Sequence, residues 1–548
     1  MEDNADVRVP VLVVGGSLVG LSTSLFLSRH GVRHLLVEKH SGTSPHPRGR
    51  GINARTMELF RTAGAEHAIR RAASVLEGNQ GILQAESLTT DSSHNWLIKS
   101  IDPSGALRRF SPTGWCLCSQ NNIEPVLAAQ SGAQGADIRF STELMTFDQD
   151  AAGVSAVVKD RRTGEHTTVR ADFLIAADGP RSPVREHLRI PQTGNGELFH
   201  NVSVTFRSHR LPEVLGDLRF IVCYLMRPGA DGALLPVDNA NQWVFHAPWH
   251  PDRGETLEDF TDERCVEQIR NAIGVPDLDV EIGGKAPWHA AERVAERFSS
   301  GRVFLVGDAA HEMSPTGAFG SNTGIQDAHN LAWKVAAVLD GSAGLGLLDS
   351  YDAERLPVAR ATSERASARS AEHSHPGYAP PPTMGGGPGS GVLTTAMGYC
   401  YPDPDAAVVG GDPARPVIPE ALRLTGDAGT RAPHMWLTRA GAGERISTLD
   451  LYERSFALLS SPGTPWQGAA RQVAAQLSAR LDAYTIGSGP GADLLQEEGA
   501  DWAELHALDP AGAVLVRPDG FVAWRAEGAV ADPRATLLEV LSTVLRRT

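Results

Sequence analysis

The chain is short of cysteine, of positive charge and of long apolar runs. Its 548 residues hold five cysteines, Cys116, Cys118, Cys223, Cys265 and Cys400, an odd and scattered set. Cys116 and Cys118 are too close for a CxxC redox or zinc pair, and no metal site is expected. None follows Cys400, which excludes dithiol chemistry from the C-terminal part. Such thiols suit a reducing cytoplasm. The formal charge of −15 argues against a nucleic-acid partner, which would need a basic face, so Arg108-Arg109-Phe110 reads as solvated surface. No apolar run approaches the ~20 residues of a membrane helix. The acidic opening MEDNADVRVP carries no signal-peptide core. A small-molecule partner is expected instead, for a monomer or homodimer.

What is present is ordinary soluble composition, 41% hydrophobic and 21% charged. The length exceeds one hydrophobic core, so two or three domains are expected. One seam is plain: HPGYAPPPTMGGGPGSGV, residues 375–392, stacks proline against glycine without apolar period. It suggests a linker over 376–395, a mixed α/β region before it and a further domain over 396–548.

The stretch VLVVGGSLVGL, Val11–Leu21, follows the dinucleotide-binding pattern with one exception. Gly15 and Gly20 occupy the first and last glycine places, and Ser17 occupies the middle. Val9–Val14 reads as a buried parallel strand, and Leu18–His30 as a helix stopped by Gly31. VRHLLVEK reads as a second strand ending in Glu38, an acid placed to bind ribose hydroxyls. Ser17 adds a Cβ where backbone should approach a pyrophosphate, but its hydroxyl is expected to donate to a phosphate oxygen at the helix N-terminus.

Two later stretches extend the pattern. ADFLIAADGPRSPVRE, Ala171–Glu186, is a buried strand ending in Asp178-Gly179. GRVFLVGDAAHEMSPTGAFGSNTGIQDAHNLAWK, Gly301–Lys334, runs from a strand through Gly307-Asp308 and a glycine-rich loop into a long helix. Taken alone, Asp178 and Asp308 also suit helix N-caps. His311 suits a turn, and Leu331 and Trp333 suit core packing.

Together these motifs resemble the class A FAD-dependent aromatic hydroxylases, the para-hydroxybenzoate hydroxylase fold. Within that group they are most similar to hydroxylases of aromatic polyketides of the anthracycline and angucycline type. The resemblance implies an α/β architecture: a Rossmann-like FAD-binding domain (about 1–75, 115–185 and 290–375) interleaved with a β-sheet substrate domain (about 76–114 and 186–289). The strand–turn–strand pattern LVRPDGFVAWR, Leu515–Arg525, resembles the thioredoxin-like C-terminal domain of phenol-hydroxylase-type members. By the same resemblance, Gly15, Ser17, Leu18 and Val19 face the FAD pyrophosphate, Glu38 the adenosine ribose and Lys39 the adenine. Gly20 is part of the same cofactor-binding turn, as the glycine that lets helix and strand pack closely. Asp308 meets the ribityl chain, and Pro315, Gly320, Ser321 and Asn322 lie along the isoalloxazine. SQNNIEPVL points to Gln120 as a flavin contact. HPRGRGINARTMELF points to Arg48 near the phosphates, where Asp178 can pair with it. Ala318, where a second glycine after Gly317 is common, is a departure like Ser17.

WVFHAPWH, Trp243–His250, and FIVCYL, Phe220–Leu225, read as neighbouring strands. Trp243 and Phe245 are assigned to core or substrate pocket, Tyr224 to the pocket with a role in substrate ionisation, and Arg293 in WHAAERVAERF, the second catalytic candidate, to a position reaching that pocket. No acid–base pair is evident, and a phenolic substrate needs none to activate its own ring. The resemblance implies NADPH or NADH as reductant, O₂ addition at flavin C4a, and oxygen transfer from the hydroperoxide to a polycyclic aromatic ring in antibiotic biosynthesis. Baeyer–Villiger oxygenation and a non-catalytic FAD-binding scaffold or redox sensor stay open. A flavin halogenase is disfavoured because no WxWxIP motif occurs.

Overall fold

The computed structural model describes residues 6–90, 94–102, 104–372 and 391–547. Most of the expected linker lies outside them. Its end does not: Val392–Met397 form a short helix whose Ala396 and Met397 pack on Ala54 and Leu107.

The first sheet has a parallel centre in the order Val303–Leu305, His166–Ala176, Val7–Val14, His34–Val37, Asp137–Arg139. Val11, Leu12, Val13, Leu35 and Leu36 are sealed from solvent, as continuous apolar runs require in a covered parallel sheet. The fingerprint helix spans Leu18–Arg29 and stops at His30 and Gly31, whose φ of +76° suits glycine.

The second sheet runs His311–Glu312, Glu281–Ala295, Gln192–Arg207, Gln242–Trp249, Gly232–Pro236, Val222–Leu225, Ile82–Ala85, Asn95–Ile98. The chain passes between these two sheets repeatedly, visiting the second at 82–98, 192–295 and 311–312 and the first in between. Side chains alternate across the second sheet. On one face Val202, Val204, Phe206, Cys223, Leu225 and Leu234 pack against the helix Asp262–Ile273. On the other face the strand register sets Gln84, Tyr224, Ala233, His246 and Ser203 in a row. Trp243 and Phe245 belong to the first, helix-covered face. They are core, not pocket.

A third, mixed sheet of seven strands fills the C-terminal part, from Trp436–Arg439 to Val522–Ala526, with the helices Trp466–Leu477 and Pro533–Val544 packed together on it. The expected hairpin is present as Ala513–Val516 and Val522–Ala526, turning at Gly520 with φ +78°. Trp333 leaves the long helix to join this core.

The seam between this part and the first sheet's helices is ionic. Lys334, Glu354, Arg355 and Arg517 are all fully buried. The Glu354 carboxylate accepts from Arg517 Nη1 at 2.6 Å, Lys334 Nζ at 2.8 Å, Asn330 Nδ2 at 2.7 Å and the Ala407 N–H at 2.8 Å. Asp519 holds the other side of Arg517, with Nε at 3.0 Å. Further along, Arg431 pairs with Glu58, Arg61 is bidentate on Asp450 with both bonds at 2.9 Å, and His329 meets Glu453 at 3.0 Å. Charges buried this deeply persist only when paired and hydrogen-bonded.

Candidate functional site

The fingerprint turn is too tight for side chains. Gly15 has φ +102°, and a Cβ there would lie 2.2 Å from the Ala177 carbonyl oxygen. A Cβ on Gly20 would lie 1.8 Å from the Gly15 carbonyl oxygen. Glu38 closes the turn: its carboxylate accepts the Gly16 N–H at 2.6 Å and the His40 N–H at 2.8 Å. Lys39 is exposed at the rim, and its carbonyl accepts from Arg161 at 3.0 Å.

Ser17 does not offer its hydroxyl to a phosphate. It donates to Glu124 at 2.7 Å, and Gln120 Nε2 donates to Ser17 Oγ at 2.9 Å and to Glu124 at 2.6 Å. Glu124 also accepts the Ser44 N–H at 2.8 Å. The first-turn N–H groups of the helix, at Leu18 and Val19, are left as the backbone donors that this terminus presents. Glu124 escaped the sequence reading, although its spacing of four from Gln120 puts both on one helix face.

Asp308 is solvent-exposed yet deep in protein mass, the situation of a group on the floor of a cleft. It caps no helix, since the short turn Gly307–Ala309 starts from Val306. No hydrogen bond engages its carboxylate among the described residues. Burial raises the carboxyl above its ordinary range, Glu312 adds to this, and His311 and Arg48 oppose it. The turn itself is held from behind by Asp327, which accepts the Gly307 N–H at 3.3 Å, His311 Nε2 at 2.7 Å and Arg355 Nε at 2.7 Å. His311 is thus a fully buried hydrogen-bond partner of Asp327 in a short strand rather than a turn residue. Val19 packs on this turn: a Cβ at Gly307 would lie 2.9 Å from its Cγ2.

Asp178 accepts the Val184 N–H at 3.1 Å and leaves Oδ1 buried without a partner. Burial raises it as well. The expected pair with Arg48 does not form; the cation acting on Asp178 is Arg185, and exposed Arg48 acts on Asp308.

The glycine-rich loop enters the helix Phe319–Leu339 through Ala318, which takes φ +55° in spite of its side chain. Pro315 receives the Ala318 N–H at 3.0 Å. Asn322 ties the loop to the segment Gly51–Asn53, donating to Gly51 O at 2.8 Å and accepting the Asn53 N–H at 2.9 Å. A Cβ on Gly51 would meet Trp115 at 2.7 Å and the Ala318 methyl at 2.9 Å. Gly320 and Ser321 lie in the first turn of that helix.

Across from this loop lies the sheet face carrying Tyr224. Burial pushes its phenol up to about 12, against the opposing charge of Arg369. His46 reaches the same face, 3.3 Å from Ser203 Oγ. Arg293 is elsewhere, in a groove of about 410 Å³ beside Pro180 and Arg181, where Glu312 at 3.0 Å and Glu197 at 3.3 Å neutralise it. It has no part in the Tyr224 face.

A tight glycine turn open at Ser17, an acid at the second strand's end and two later acids with free oxygens form a cradle that fits FAD. Residues 8–366 match the FAD binding domain family, and residues 425–547 match the aromatic-ring hydroxylase C-terminal family. The chain is an FAD-dependent aromatic-ring hydroxylase. This hydroxylase is 65% identical over 98% of its length, and 97% of the other's, to a Streptomyces halstedii protein that bears the name of a polyketide hydroxylase. It is 42% identical to tetracenomycin A2 monooxygenase-dioxygenase of Streptomyces glaucescens, over 99% of this chain and 97% of that one. Its fold superposes on a ternary complex of aklavinone-11 hydroxylase with FAD and aklavinone at a TM-score of 0.87 and 38% identity, covering 99% and 100% of the two chains. No helix of the described residues is long and apolar enough to cross a membrane.

Proposed function

We propose that this hydroxylase inserts one oxygen atom of O₂ into a polycyclic aromatic polyketide, with NADPH or NADH as reductant, in antibiotic biosynthesis. The single observation that carries the substrate class is full-length similarity to enzymes named for aklavinone and tetracenomycin. FAD, when bound and reduced, supplies the activation of O₂; the protein supplies position and shielding. Gly15 and Gly20 keep the turn tight against the neighbouring strand, Leu18 and Val19 offer the pyrophosphate their N–H groups, and Glu38 takes the ribose. Asp308 accepts from the ribityl hydroxyls, and the Pro315–Asn322 loop lines the ring. Gln120 and Ser17 brace the helix terminus through Glu124. Tyr224, neutral at working pH, donates to an oxygen of the substrate, and Arg369 orients it. Arg48 and Asp178 serve the phosphate and reductant side, where the groove at Arg181 gives access.

The test is NADPH consumption by FAD-loaded protein with and without tetracyclic phenols, followed by product masses. Stimulated consumption with a gain of one oxygen is expected. Product ring connectivity separates hydroxylation from Baeyer–Villiger lactone formation. Bound FAD that no aromatic renders reducible would overturn the reading in favour of a scaffold or sensor.

A further inference from the structure

Of the buried arginines, Arg55, Arg355, Arg431 and Arg517 each hold a carboxylate, and Arg185, which donates to the carbonyls of Ala309 and Pro180, feels the charge of Asp178. Arg50 has neither. It is 7% exposed, and its guanidinium donates to the backbone carbonyls of Pro236 and, at 3.3 Å, Ile221. Desolvation is the one influence on its acidity, bringing the group down to about 9 with no acid nearby to offset it. The guanidinium therefore remains a cation at neutral pH. Backbone carbonyls satisfy donors, but they do not neutralise a full charge. Its Nε makes no hydrogen bond among the described residues, so one donor of the fork is left over.

The location is specific. Ile221 and Pro236 end the strand pair Val222–Leu225 and Gly232–Pro236, the hairpin that presents Tyr224. The Arg50 carbonyl accepts the Cys118 N–H at 2.9 Å, and the adjoining Gly51 is tied to the flavin-side loop by Asn322. The cation is thus fixed between the loop assigned to the isoalloxazine and the sheet face assigned to substrate. Tyr224, Arg369, His46 and His246 are the other titratable groups of that face, and Arg48 and Asp308 those of the flavin side.

We propose that Arg50 is the anion seat of the substrate site, holding the ionised oxygen of a polycyclic phenol. The inference rests on the hydroxylase reading above. The phenolic proton passes to solvent water, Arg50 stays protonated, and no covalent bond to the protein forms. The negative oxygen left behind enriches the ring that is to be oxygenated. Arg50 so selects ionisable aromatics over neutral ones, a role that the exposed Arg48 cannot fill.

The experiment titrates a bound hydroxyanthraquinone, alizarin, on FAD-loaded full-length protein, followed by its phenolate absorbance beyond the flavin bands. The wild type should titrate the bound phenol about one to three pH units lower than water does, the range for an opposite charge at close distance. Arg50→Lys should keep part of that effect. Arg50→Gln should abolish it and weaken phenolate binding tenfold or more, with FAD content and the flavin spectrum unchanged. Equal titration in Arg50→Gln and wild type overturns the proposal. So does a wild type that oxidises NADPH with alizarin bound but leaves its ionisation unchanged, an outcome that spares the hydroxylase reading. Failure of the wild type to bind any hydroxyanthraquinone overturns both. If Arg50→Gln does not fold, the wild-type and Arg50→Lys titrations decide.

Discussion

Glu354→Gln probes the ionic seam with little change of shape. The native carboxylate satisfies Lys334, Arg517, Asn330 and the Ala407 N–H at once. The amide turns donors toward those donors and leaves Asp519 to face two fully buried cations, Lys334 and Arg517. Removing one partner of a buried pair costs about 3–5 kcal/mol. Burial alone would raise the Glu354 carboxyl, but Arg517 and Lys334 outweigh it and hold the group well below the usual carboxylate range. Its stabilisation is therefore complete at neutral pH and is lost only as pH falls through that lowered value. At about 2.1 cal/mol/K per residue, unfolding of the whole chain as one unit carries an entropy of about 1.2 kcal/mol/K, so Tm should fall by about 3–4 °C. If the roughly 120 C-terminal residues melt first, the same penalty lowers their transition by about 12–19 °C. Calorimetry at pH 7, with flavin fluorescence to time cofactor release, separates the two. A shift below 1 °C by both probes would refute the argument that these cations depend on Glu354.

Asp308→Asn should weaken FAD binding roughly tenfold to hundredfold, the worth of one charge-assisted hydrogen bond, as read by equilibrium dialysis. Because burial raises the Asp308 carboxyl, its ionisation costs the empty protein stability as pH rises through the raised value, so the same variant without FAD should melt no lower than wild type at pH 7. Ser17→Gly restores the glycine pattern but removes two links to the Gln120–Glu124 brace; a loss of about 1 kcal/mol without tighter FAD binding is expected from denaturant titration. Tyr224→Phe should lower turnover yet leave any alkaline limb below pH 9 in the rate profile, since the phenol is held at about 12.

The parts of the site legible in sequence were those with local causes. Gly15, Gly20 and Gly31 are demanded by a turn and a helix stop, and Glu38 follows from the strand that carries it. Alternation showed that Trp243 and Phe245 share a face, but the helix Asp262–Ile273 decides which face is core, and no residue near them reports its position. Glu124 had a readable signal in its spacing from Gln120. Arg50 had one only in being a second arginine within HPRGR, and its significance lies in a distant acid that never arrives. Lys334 and Glu354 look like solvent-facing charges of amphipathic helices. They are buried because Arg517 and Asp519, far along the chain, come to meet them.

The contact of Gly51 with Ala318 and Trp115 bears on how this enzyme can evolve. Enlarging residue 51 collides with the Ala318 methyl and the indole together, so a scan of single substitutions will score the position as immutable. Relieving Ala318 to glycine and trimming Trp115 would open it. The three positions form one epistatic unit at the lip of the flavin loop, and diversity there will appear only in libraries that vary them jointly.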